Sequence, residues 1–172
     1  MPTPAYLTIE GETQGLITAG TFTEESVGNS WQQGHEDEII VQAYESNIHV
    51  PTDLQSGRPT AQRVHECFII TKVFDKSSPK LYRALTSGER LPKCELKWYR
   101  TSPAGAQEHY FSQILEDAII TKIKSYMPNC QDPNNGTFTH LEDVTFTYRK
   151  ITWKHEVCGT EAEDDWRLPV AA

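Results

Sequence analysis

Runs of β-branched and aromatic residues recur along this chain, cut apart by polar stretches, and that spacing limits the fold more than any other feature. "AYLTIE" (5–10), "EIIVQAYESNIHV" (38–50), "VHECFIITKVF" (64–74) and "KCELKWYRT" (93–101) all read as strands. "KSSPKLYRALTSGE" reads differently. Ser77 or Ser78 is placed to cap a helix, Pro79 suits its first turn and Gly88 its end, while Leu81 and Leu85 share one face. A mainly β chain with one short helix over about 78–87 is expected.

Two segments resist this simple texture. Over 108–127, Phe111, Ile114, Leu115, Ala118, Ile119 and Ile123 form a helical stripe, and on periodicity alone the segment reads as helix. Tyr110, Ile120 and Thr121 favour strand instead. In "VTFTYRKITWKHE" (144–156), Phe146 and Tyr148 fall on one parity, Ile151 and Trp153 on the other. Strand side chains alternate with a period of two, so an ordinary half-buried strand keeps its large apolar groups on one face. The switch implies a bulge at Arg149–Lys150, a strand crossing between two sheets, or a second face covered by another subunit.

The chain has 172 residues, enough for one domain (1–172) with a proper core. No apolar run approaches the roughly 20 residues that span a bilayer, so no membrane insertion is expected. The N-terminus lacks the basic and apolar regions of a secretory signal. A net charge of −8 argues against nucleic acid as a partner. The four cysteines stand no closer than 27 residues apart, which excludes a paired redox or zinc motif, and Cys67 and Cys94 read as small buried hydrophobes. "GHEDE" (34–38) reads as a solvated strand entrance rather than a metal site, because neighbouring strand residues point to opposite faces. No catalytic, metal or cofactor motif is present, so no catalytic residue, metal ligand or cofactor is assigned. A partly buried position is expected for Trp31.

The polar stretch "PTDLQSGRPTAQR" (51–63) lies between two strong strands, and loops of this length are often functional. Pro51 and Pro59 restrict its backbone, Gly57 permits a tight turn, and Leu54 is its only bulky apolar group.

The collinear series "HVPTD…SG…QRVH", "SSPKLYRAL", "ELKWYRT", "EHYF", "LEDAII", "YRKITW" and "DDWR" resembles the Hcp family, the tube subunits of bacterial type VI secretion systems. The resemblance implies a compact β-barrel of two packed, antiparallel-rich sheets with a long protruding loop, and it turns 108–127 into strand. It implies homo-hexameric rings that stack into a tube, assembled in the bacterial cytoplasm with sheath and spike proteins. It further implies export without a cleaved signal peptide, and effector proteins in the ring lumen. On this basis Thr52, Asp53, Leu54, Gln55, Ser56, Gly57 and Arg58 are expected to contact the next ring, with Leu54 as anchor and Arg58 pairing with a carboxylate. Trp98, Tyr148, Ile151 and Trp153 are expected in the core or at the subunit interface. Two other readings remain compatible with the residues: a monomeric ligand-binding β-barrel, and an enzyme whose site assembles only in three dimensions.

Overall fold

The structure, a computed structural model, describes residues 3–169. Twelve strands follow one another: β1 (Ala5–Gly11), β2 (Gly15–Leu16), β3 (Ile39–Val41), β4 (Ala43–Glu45), β5 (Ile48–His49), β6 (Val64–His65), β7 (Phe68–Val73), β8 (Leu91–Thr101), β9 (Gln107–Tyr126), β10 (Leu141–Thr147), β11 (Lys150–His155) and β12 (Thr160–Asp165). The expected helix is α2 (Ser78–Ser87). A second helix, the single turn α1 (Glu24–Val27), departs from the expectation of one; it has no side-chain cap and ends at Gly28, where φ is 62°.

Segment 108–127 is strand, lying within the 20-residue β9. Its first half pairs with β8 on one edge and β11 on the other, and its second half pairs with β10. All pairings are antiparallel, and the path β2-β1-β8-β9-β10-β7-β4 runs through one bent sheet. The mainly β, antiparallel architecture is as expected, although the sheet does not close into a barrel. The run 38–50 breaks into three short strands; among the described residues β3 pairs with β1 and β4 with β7. Gln42, between them, donates its amide to the Thr71 carbonyl at 2.8 Å.

The parity switch has a collective cause. Tyr148 (2% exposed) and Ile151 (0%) face the same core, not two environments. Neighbouring strands switch in step with them. In β8 the inward positions go from Leu91 to Cys94, and in β9 from Leu115 to Ala118. Leu91 pairs with Ala118, Cys94 with Leu115, and Ile151 with Leu115. One bend line therefore crosses β8 at Pro92, β9 at Asp117 and the junction of β10 and β11 at Arg149. Asp117 is the one described non-glycine residue with positive φ, at 54°, a conformation Asp tolerates better than most residues. Two register shifts lie in β9, opposite Thr145/Phe146 and opposite Trp98/Tyr99, and not at the expected Arg149–Lys150. These skips account for part of the false helical stripe, since Leu115, Ala118 and Ile123 face the core while Ile119 is exposed. Inward positions 113, 115, 118, 120 and 123 alternate spacings of two and three, which imitates helical periodicity.

Helix α2 packs Leu81 and Ala84 into the core. Beneath its first turn lies a knot of charges. Lys72 Nζ, fully buried on β7, reaches Glu142 Oε1 at 2.5 Å, Asp75 Oδ1 at 3.0 Å and Ser78 Oγ at 3.0 Å. The serine caps work differently from expectation. Ser77 donates its amide and hydroxyl to Asp75, and Ser78 Oγ accepts the Asp75 amide. Gly88 ends the helix in the left-handed region, as expected. Cys94 is buried, but Cys67 is exposed because it lies in the gap between β6 and β7.

Candidate functional site

Residues 51–63 form an arm that rises from the two-residue ladder of β5 and β6. A bridge between Thr52 and Pro59 extends the hairpin, and Thr60 donates its amide to the Pro51 carbonyl at 2.8 Å. The tip closes on itself. The Asp53 amide donates to Arg58 O at 2.9 Å, and the Gly57 amide to Asp53 O at 2.8 Å, with Gly57 at φ 69°. Asp53 Oδ2 accepts from both the amide and the hydroxyl of Ser56, and these bonds hold its carboxyl below the usual aspartate range.

The tip residues are thus divided. Asp53 and Ser56, expected to make outward contacts, are engaged within the arm. Leu54 is 100% exposed, Gln55 is exposed beside it, and Arg58 makes no ion pair among the described residues. Leu54 is thus the bulky apolar group that the tip presents to solvent.

The root of the arm is held by a cluster that sequence reasoning missed. Arg63 grips Asp164 of β12 with two bonds, Nε to Oδ2 at 2.9 Å and Nη2 to Oδ1 at 3.0 Å. Nη2 also reaches the carbonyls of Asp165 and Leu168, each at 2.9 Å. His65, on the same face of the strand, sets Nε2 at 2.7 Å from Asp164 Oδ2 and Nδ1 at 2.8 Å from the Tyr148 hydroxyl. Trp166 lies against the His65 ring and donates its indole N–H to Tyr148 O. The Arg63 hydrogen bonds hold the Asp164 carboxyl below its usual range, and burial pushes the Tyr148 hydroxyl well above its own. Arg63 and Asp164 stand 101 positions apart, so no local pattern links them.

The four expected core or interface residues lie in the body. Tyr148 and Ile151 are buried in the chain's own core, and Trp98 and Trp153 are half-buried against it. Trp98 packs edge-on to Tyr44 at 4.9 Å between centroids. Only Tyr148 connects to the arm, through His65. Trp31 is 41% exposed. In "GHEDE", directly before β3, Gly34, Glu36 and Asp37 are exposed as a solvated strand entrance requires, while His35 is partly covered: it stacks on Tyr6 at 3.8 Å and meets Glu38 Oε2 at 2.6 Å. That pair belongs to an aromatic cluster, and no metal-ligand grouping of His, Cys, Asp or Glu occurs among the described residues. A surface hollow of about 490 Å³ beside the arm root is lined mainly by charged groups, including Arg63, Glu116, Lys150 and Glu163. Such walls suit solvated ion pairs better than a small apolar ligand.

The sequence profile described as "Type VI secretion system effector, Hcp" matches residues 6–155. The chain belongs to the Hcp family. A "Major exported protein" of Pseudomonas aeruginosa is 66% identical, over 99% of each chain. A crystal structure of an Hcp protein superposes with a TM-score of 0.91 at 50% identity, covering 96% of this chain and 100% of the other. The secreted protein Hcp3 from Pseudomonas aeruginosa superposes at 0.83 with 57% identity, covering 97% and 100%. Membership of the Hcp family assigns the chain to type VI secretion and not to an enzyme class.

Proposed function

We propose that this chain is a tube subunit of a bacterial type VI secretion system. In this reading it forms one domain, closes into homo-hexameric rings in the bacterial cytoplasm, and stacks them into a tube through its arm. Sheath and spike proteins of the system are its partners, effector proteins occupy the lumen, and the chain is itself exported. Family membership supports the secretion context, and the 66% identical relative is named as exported. The observation that carries the stacking role is the arm: residues 52–62 are exposed, the tip is bonded only to itself, and Leu54 is wholly uncovered. An interface that repeats head to tail and closes gives a ring.

Replacing residues 53–58 with a short Gly-Ser linker tests the reading. Light scattering and negative-stain images should show intact rings, while stacked tubes and secretion are lost. Loss of the rings would place the arm in the lateral interface, and persistence of stacked tubes would leave it a solvated connection.

A further inference from the structure

We propose that Asp164 is a positioning residue that fixes the direction in which the arm leaves the body, by gripping Arg63 and His65 together. The reason for needing a fixed direction rests on the stacking role proposed above; the orienting role does not.

Among the described residues, every hydrogen bond that residues 52–60 make stays within 51–60. The arm is therefore stiff within itself and has no support along its length. Its direction is set at the root alone. There the backbone supplies only the two residue pairs of β5 and β6, with Glu66 N to Asn47 O at 2.9 Å beyond them. A two-stranded ladder of that size is marginal by itself. The side-chain ties at the root are of two kinds. His49 and Glu66 meet at 3.3 Å but are about half exposed, so their pairing contributes little. Arg63 and His65 are better sheltered, with side chains 14% and 2% exposed, and both converge on one carboxylate.

The geometry of that carboxylate is restrictive. A bidentate guanidinium pair defines a plane as well as a distance. His65 adds a second direction, because its other nitrogen is tied to the Tyr148 hydroxyl inside the core. Asp164 itself is held in register by β11, opposite Ile151. The core thus orients β11, β11 orients Asp164, and Asp164 orients the arm. The lever is long. At about 3.3 Å per residue the tip stands roughly 20 Å from the root, so a 20° swing would move Leu54 by about 7 Å.

The test is a distance measurement on the assembled protein. In a chain with Cys67, Cys130 and Cys158 changed to serine, spin labels are placed at Leu54→Cys on the tip and Arg83→Cys on α2. Doubly labelled chains are diluted so that each ring carries one. The parent should give one narrow distance distribution, and Asp164→Asn should roughly double its width while α2 and the core stay folded. An unchanged width overturns the proposal, whatever happens to tubes. Arg63→Lys keeps the charge and removes the bidentate fork, so it should broaden the distribution as well. It provides the same test should Asp164→Asn fail to fold. If the distribution broadens and tubes still form, the orienting role stands and the stacking role of the arm fails.

Discussion

The knot beneath α2 and the clasp at the root of the arm are built from similar parts, cations held by carboxylates and a hydroxyl. Their surroundings differ. Lys72 and Glu142 are fully buried, whereas Asp164 is 30% exposed and Arg63 14%. Glu142 Oε2 and Asp75 Oδ2 are buried without a hydrogen-bond partner, so the knot carries a desolvation cost that Lys72, as its one cation, offsets together with hydrogen bonds from Ser77 and Ser78. Around the clasp, water is close enough to replace a lost partner. The same chemistry therefore maintains the fold in one place and sets the direction of an appendage in the other.

The largest test of that contrast is Lys72→Met. It leaves two carboxylates buried with no cation and should lower unfolding free energy by about 3–5 kcal/mol, measured by urea denaturation. Asp164→Asn in the same assay should shift the midpoint far less. Equal shifts would erase the distinction between the two regions.

Next come apolar truncations on either side of the bend line. Ile151→Ala, at a fully buried position, should cost about 2–5 kcal/mol. Trp153→Ala removes a larger side chain, but one only half-buried, and should fall below the roughly 3–5 kcal/mol expected for a buried aromatic. A greater loss for Trp153 in assembled rings would mean that a neighbouring subunit covers it.

Acid sharpens the comparison further. The folded Asp164 carboxyl sits below its ordinary value of 3.8, so its contribution is fully present above that value and is lost as pH falls through the lower folded one. The distance distribution between tip and body should stay narrow down to that range and broaden below it. In Asp164→Asn this step should be missing.

The smallest effect on stability belongs to Leu54→Ala. Nothing among the described residues covers this side chain, so the unfolding midpoint should not move. Tube length in negative-stain images should shorten while single rings persist. A lowered midpoint would show that the arm packs on the body.

Part of this molecule was legible in local chemistry. Proline and glycine bracket α2, β-branched runs mark β1, β7 and β8, and the composition of 51–63 marks an exposed arm. Capping, strand propensity and turn formation depend on residues a few positions apart, so one chain suffices to read them. The same local rules misread β9 as helix, because its inward face changes parity where the sheet bends. They also left Cys67 buried when the gap between β6 and β7 exposes it.

What the sequence by itself determined was the mainly β class, the placement of the long helix and, through resemblance to a family, the secretion context. Tertiary structure alone decided that Leu91, Ala118 and Tyr148 line up before the bend and Cys94, Leu115 and Ile151 after it. It also decided that Lys72 meets Glu142 across 70 positions and that Arg63 meets Asp164 across 101. Each of these contacts joins residues distant in the chain; the Lys72–Glu142 pair draws its strength from the exclusion of water by strands folded around it, and the Arg63–Asp164 pair from its bidentate geometry. Neither proximity nor burial of that kind leaves a periodic mark on the segments that supply the two partners.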